Sequence, residues 1–233
     1  MSDLDQAAVL DALEAAYQKV TAVTAELGEA DLMRPTRCAG WAVADVLFHN
    51  LVDARRALRT FASPSDAPVD CDDVSYWRDY APAPDGNGAA ASSGESAAHA
   101  RYIRIAASAY PPGTLAWEWS ETAAAACRAA RACRHRAVTT QGHVLTVTGF
   151  AATLAVEAAV HYLDLTVDLP GAPDPDPGPL ALVRRVLTGL LGGPLPDSWD
   201  DVTAALKGTG REPLTGEDRQ AMGPSAGKFP LFA

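Results

Sequence analysis

The sequence predicts an all-α fold: a four-helix bundle followed by a loop-rich, partly helical C-terminal extension. Three observations lead there. Apolar residues recur at helical spacing through several long stretches. Pro, Gly and Asp gather between those stretches, where connections are needed. The most apolar stretch, residues 150–169, lacks Lys and Arg and is apolar around nearly its whole circumference, so other helices must cover it.

Residues 4–27 place Leu10, Leu13, Tyr17, Val20 and Leu27 near one face, which predicts an amphipathic helix ended by Gly28. A second helix starts after Trp41 and runs to Phe61, with Asp45 in its first turn, where a carboxylate suits the helix dipole. Residues 62–94 read as a long connection whose aromatic cluster, Tyr76, Trp77 and Tyr80, docks on the bundle, with a mobile tip at 82–93. A third helix is expected over 95–110, stopped by Pro111-Pro112, and an Ala-rich one over 118–136. Periodicity leaves open whether these two are one bent element. Residues 138–148 suggest a short extended or looped link, and the central helix then runs to Pro170-Gly171. After the Pro/Asp-rich linker, helices are expected near 180–191 and 199–206, and a short one from Thr215, capped by Thr215 and Asp218. The closing KFPLFA is apolar and is expected to fold back. The chain thus divides at 1–170, the bundle, and 171–233, the linker and extension packed on it.

With 233 residues, 48% of them hydrophobic, the chain can build a real core. Its net charge of −10 argues against nucleic acid or an anionic membrane surface as partner. No basic-then-apolar leader pattern opens the sequence, and Glu157 and His161 interrupt the longest apolar helix, so neither a secretory signal nor a membrane span is expected. The cytoplasm is the expected compartment, and a homodimer is left open. Cys38, Cys71, Cys127 and Cys133 form no CxxC pair and read as reduced and mostly structural.

Within the central helix, Glu157 and His161 stand four apart, about 40° from one another around the axis. Asp164 and Asp168 continue the stripe. A solvated polar face gives this pattern, but so does one half of a metal site inside a bundle, which needs a third ligand from another helix. Of the remaining imidazoles, His99 and His135 lie beside Arg in polar surroundings and read as surface residues. His143 falls in the link, where it is exposed or approaches a site. His49 lies well inside the second helix, as a boundary residue or as the missing ligand. Two His and one Glu make a set that leaves a tetrahedral metal one open position.

These residues resemble the mycothiol-dependent maleylpyruvate isomerase family, within the wider DinB/YfiT-like metal-binding bundles. A Cys-x-Gly-Trp-x-x-x-Asp-x-x-x-His run stands at Cys38, Gly40, Trp41, Asp45 and His49, and Glu-x-x-x-His-x-x-Asp-Leu at Glu157, His161, Asp164 and Leu165. The resemblance covers roughly residues 5–170. It implies a metal site of His49, Glu157 and His161, a divalent metal taken as Zn²⁺, and mycothiol as co-substrate. Ala42 departs from the Thr or Ser frequent among relatives, leaving Asp45 to cap the helix from its third position. The tail beyond residue 171 matches no isomerase C-terminal domain, which leaves maleylpyruvate itself unassigned.

What the resemblance implies is an enzyme in which the metal lowers the pKa of a bound thiol, whose thiolate attacks a small electrophile, as an S-transferase or an isomerase. Asp164 is placed either to orient an imidazole or as an exposed helix residue. Arg78 and Arg101 are the candidates for holding a substrate carboxylate; the other catalytic residues are unassigned. The alternative is a non-catalytic interaction module whose metal ties helices together, which calls for a fourth protein ligand such as His143 or a cysteine.

Overall fold

Helix α1, Gln6–Thr24, starts where Asp5 accepts a hydrogen bond from the Ala7 N–H at 3.2 Å, and buries Val9, Leu13, Ala16 and Val20. The computed structural model to which it belongs describes residues 4–80, 89–111 and 113–232, with backbone alone at 79 and 89–96. After the short α2, Glu29–Leu32, the chain turns at Gly40 (φ 78°) into α3, Val43–Phe61. The Ala42 N–H donates to Asp45 Oδ2 at 2.9 Å, so Asp45 caps α3 from its third position.

The long connection contains a 3₁₀ turn, Ser75–Tyr80, whose Tyr76 and Trp77 are each 4% exposed. The tip expected at 82–93 lies, up to residue 88, outside the described residues. From there α4, Ala89–Ser108, is already helical, six residues earlier than expected. Alanine and serine are tolerated in a helix without a periodic signal, which hid this first turn and a half. Helix α5, Thr114–Ala132, is a separate element, set off by Pro111 and by Gly113 at φ 80°.

The link before the central helix is a hairpin, β1 Ala137–Thr140 and β2 His143–Thr146, with Thr140 opposite His143. Gln141 (φ 46°) and Gly142 (φ 84°) both sit in the left-handed region, as a two-residue hairpin turn requires. Residues 63–65 pair with β1 and Asp70 with Val144, tying the connection to the hairpin.

Helix α6, Val147–Thr166, opens with the Thr146 hydroxyl accepting from the Gly149 N–H at 2.9 Å. Along it only Thr148, Glu157 and Thr166 escape full burial. The bundle is α1, α3, α5 and α6: α1 packs on α6 and α5, and α3 packs on the same two, while α4 lies outside against α3.

In the C-terminal part, α7, Pro177–Leu191, lies against α6 and α1. Helix α8, Asp201–Gly208, crosses α7 so closely that a Cβ on Gly208 would come within 2.5 Å of Leu187. Helix α9, Gly216–Met222, carries the expected Thr215/Asp218 capping box. The closing segment returns to the body: the Leu231 N–H donates to Gly208 O at 2.8 Å, and the Phe232 ring centroid lies 4.5 Å from that of Trp77. No helix among the described residues is long and apolar enough to cross a membrane.

Candidate metal centre

Helices α3 and α6 bring together three of the residues singled out in the sequence. His49 Nε2 lies 3.1 Å from Glu157 Oε1, and His161 Nε2 lies 3.3 Å from the same oxygen. The two imidazole centroids are 4.7 Å apart. Donor atoms of all three residues fall within 4.8 Å of one another.

Each imidazole is held from behind. His161 Nδ1 is 3.0 Å from Asp164 Oδ2, and Asp164 is fully buried, which rules out its reading as an exposed helix residue. Two guanidinium nitrogens of Arg211 reach the same carboxylate, Nε at 3.1 Å from Oδ1 and Nη2 at 3.0 Å from Oδ2. The Trp41 ring stands edge-on to His49 at 5.6 Å. His99 Nε2 is 3.4 Å from His49 Nδ1, so this histidine, although exposed as expected, is also part of the site's rim.

Burial alone would raise the Glu157 pKa, but hydrogen bonds with His161 and His49 hold it well below the usual carboxylate range. Burial would lower the His161 pKa, yet its bonds to Asp164, Cys38 and Glu157 push it well above the ordinary value. Asp164 is likewise held low against its burial, by His161 and Arg211. Glu157 thus stands against one nitrogen of His161 and Asp164 against the other. The donor set therefore fits a divalent metal: two imidazole nitrogens and one carboxylate oxygen face a common point, and a buried acceptor fixes the outer nitrogen of His161.

The cluster forms part of the lining of a cavity of about 810 Å³. Arg56, Arg59 and Arg211 line it, with Trp77 and Phe232 among its aromatic walls. Arg78 and Arg101, the carboxylate-binding candidates from the sequence, are both exposed and line no part of it. Arg78 lies on the outer side of the 3₁₀ turn and Arg101 on the solvent face of α4, orientations their bare positions did not disclose. His135 is exposed, as expected.

Cys38 sits behind His161, where the turn at Gly40 folds the chain back, with the Trp41 N–H donating to Cys38 O at 2.9 Å. Its Sγ donates to Asp164 Oδ2 at 3.2 Å and lies 3.9 Å from His161 Nδ1. It thus clusters with His161 and Asp164, on the far nitrogen of the ring, and not with His49 and Glu157. His143 pairs with Asp70 at 3.3 Å, and with Cys71 they form a separate cluster away from the triad. Cys127 and Cys133 are buried, the latter against Phe61 O at 3.7 Å.

Arg211 and Phe232 were not legible as site residues, since they enter from the C-terminal extension. One signal for Arg211 existed: Asp164, in a helix apolar nearly all round, suits a Lys or Arg partner that residues 150–169 do not contain.

Fold and site together define an all-α, DinB-like bundle with a His/Glu/His cluster on facing helices. The profile of the family described as mycothiol maleylpyruvate isomerase N-terminal domain matches residues 13–166, and the chain belongs to that family. The match takes in His49, Glu157 and His161 and ends before Arg211 and Phe232. No curated protein and no solved structure matches the chain.

Proposed function

We propose that the protein is a metal-dependent enzyme that uses a low-molecular-weight thiol, mycothiol in the first instance, against a small electrophile, as an S-transferase or a maleylpyruvate-isomerase-like isomerase. One observation carries this: the donor atoms of His49, Glu157 and His161 converge on one wall of a cavity of about 810 Å³. The family match agrees with a thiol of that kind.

His49, Glu157 and His161 would hold the ion, taken as Zn²⁺. Bound there, a divalent metal acidifies a coordinated thiol so that it is present as thiolate at neutral pH. The chain's own residues supply the rest. Asp164 accepts the His161 Nδ1 proton, which leaves Nε2 directed at the common point, and Arg211 keeps Asp164 ionised. Trp41, Val160 and Phe232 wall the cavity and limit water around a nucleophile. Addition of sulfur to a conjugated double bond, rotation and elimination would isomerise the substrate; stopping after addition would transfer the thiol.

A metal-tied interaction module would call for a fourth protein ligand. Among the described residues, the donor cluster at this point contains three, and the cavity beside it favours the enzyme. Metal content of the purified protein, followed by calorimetric titration with mycothiol, tests the proposal. About one divalent ion per chain and metal-dependent thiol binding are expected; thiol binding that survives removal of the metal would overturn it.

A further inference from the structure

Arg56 follows His49 on α3 by seven residues, about two turns or 10 Å, so the two share a helix face and line the same cavity. Its Nη2 lies 3.0 Å from Asp53 Oδ2, and its side chain is 19% exposed. The contact lacks hydrogen-bond geometry: Asp53 Oδ2 and Arg56 Nε are both buried without a hydrogen-bond partner. On the 3₁₀ turn, Trp77 also lines the cavity, and its Nε1–H is buried without an acceptor. Two buried donors on residues that line the cavity are thus left unpaired, one of them on a cation. Such groups destabilise a fold unless something supplies acceptors, and in native proteins each calls for an explanation.

We infer that Arg56 and Trp77 form a subsite for a singly charged organic carboxylate carried by the electrophile. The purpose of the subsite rests on the metal-and-thiol reading; its geometry does not. A carboxylate presents two acceptor oxygens, enough for the Arg56 Nε–H and the Trp77 indole N–H of the same cavity lining. A phosphate dianion suits it poorly. Asp53 and Glu157 already act on Arg56, so a second negative charge would meet two carboxylates around one buried cation. Phe232, packed on Trp77, and Val52 give the carbon body of the ligand an apolar flank.

The test uses the ¹⁵N-labelled full chain and reads the indole N–H resonances of its five tryptophans, Trp77 being assigned with Trp77→Phe. Sodium propionate is the probe, with sodium phosphate at equal ionic strength for comparison. The Trp77 N–H should shift downfield saturably with propionate, and Arg56→Gln should weaken this at least tenfold. Trp117, 64% exposed, should not move. An absent or non-saturating Trp77 shift, an undiminished response in Arg56→Gln, or phosphate binding as well as propionate would each overturn the inference. If Arg56→Gln does not fold, Arg56→Lys keeps the charge without the fork and should bind propionate several-fold more weakly; unchanged affinity overturns the subsite. Mycothiol carries no free carboxylate, so propionate and mycothiol should bind simultaneously; competition between them would overturn the assignment of the subsite to the electrophile. His161→Ala should lose metal yet still bind propionate, which separates failure of the subsite from failure of the metal centre.

Discussion

Arg211 holds the buried carboxylate of Asp164 in a two-pronged grip, Nε to Oδ1 at 3.1 Å and Nη2 to Oδ2 at 3.0 Å, across 47 positions of sequence. The contact joins the C-terminal extension to the residue that orients His161. It also satisfies a charge that the bundle alone would leave uncompensated. Arg211→Ala should therefore destabilise the chain by about 3–5 kcal/mol, the usual cost of breaking a buried ion pair from one side. Metal affinity should fall roughly 10–100-fold, as when outer partners of ligating histidines are removed. Urea unfolding and a competition titration with a chromophoric chelator would measure both. A double variant, Arg211→Met with Asp164→Asn, should recover much of the stability but not the affinity. Full stability in Arg211→Ala alone would show that the grip contributes nothing.

The triad sets a sharper expectation for metal content. His49→Ala, Glu157→Ala and His161→Ala should each reduce bound divalent ion from about one per chain to a trace after dialysis, since two remaining donors hold an ion poorly. Elemental analysis is the measurement. His135→Ala, exposed and remote, is the control; His99, against His49 at 3.4 Å, is not a suitable one. Wild-type metal content in any two triad variants would remove the site.

Most of the bundle could be read from the sequence because its helices bury periodic faces. The α3 boundary fell where Trp41, Asp45 and Phe61 placed it, since the cap and the apolar stripe agree there. The start of α4 did not, because Ala and Ser carry no periodic mark. His49, Glu157 and His161 could be suspected as a group because each breaks an apolar face, and such breaks are local signals. Arg56, Arg211 and Phe232 could not, since a surface arginine and a cavity arginine look alike until the neighbouring element is placed. Cys38 shows the same limit: it read as a structural cysteine, and only the turn at Gly40 sets it behind His161.

The C-terminal extension carries its own pH-sensitive contact. Asp218 accepts from Trp199 Nε1 at 2.7 Å and from Lys207 Nζ at 2.6 Å, and also caps α9. Its burial would raise its pKa, but Lys207 and the Thr215 contacts depress it well below the usual carboxylate value. A depressed pKa means that its stabilisation is fully present above the unfolded-state value of about 3.9 and is lost as pH falls through the lower folded value. Asp218→Asn should therefore lower the melting temperature at pH 7 and flatten the stability profile below about pH 4. Thermal melts from pH 7 to pH 2 would check this. Parallel profiles for variant and wild type would rule Asp218 out as a contributor.

Truncation after Gly171 should expose the face of α6 that α7 covers and remove both Arg211 and Phe232. Asp164 would then keep His161 and Cys38 but lose its guanidinium partner, at a cost of about 3–5 kcal/mol on top of the lost apolar contact. The shortened chain should bind a hydrophobic dye, aggregate on warming and melt well below the full chain. Unchanged melting would mean that the bundle is complete without its extension.

The last expectation concerns the open metal position. Three protein donors leave a tetrahedral ion one place, and a thiolate occupying it has an optical signature when Co²⁺ replaces Zn²⁺. Adding mycothiol to the Co²⁺ protein should produce a near-ultraviolet sulfur-to-cobalt charge-transfer band, absent before addition. Two internal cysteines need controls. Cys38 Sγ is 3.9 Å from His161 Nδ1, and Cys71 belongs to the cluster with Asp70 and His143. Cys38→Ser should leave the thiol-dependent band in place, because Cys38 faces the outer nitrogen of His161 and not the triad. Any band in the protein without added thiol that disappears in Cys71→Ser belongs to the Asp70 cluster and leaves the triad untouched. A thiol-free band abolished by Cys38→Ser has the opposite meaning. It would show that the loop before α3 closes the site with a fourth protein ligand, and the metal would then tie the loop to the bundle instead of activating a thiol.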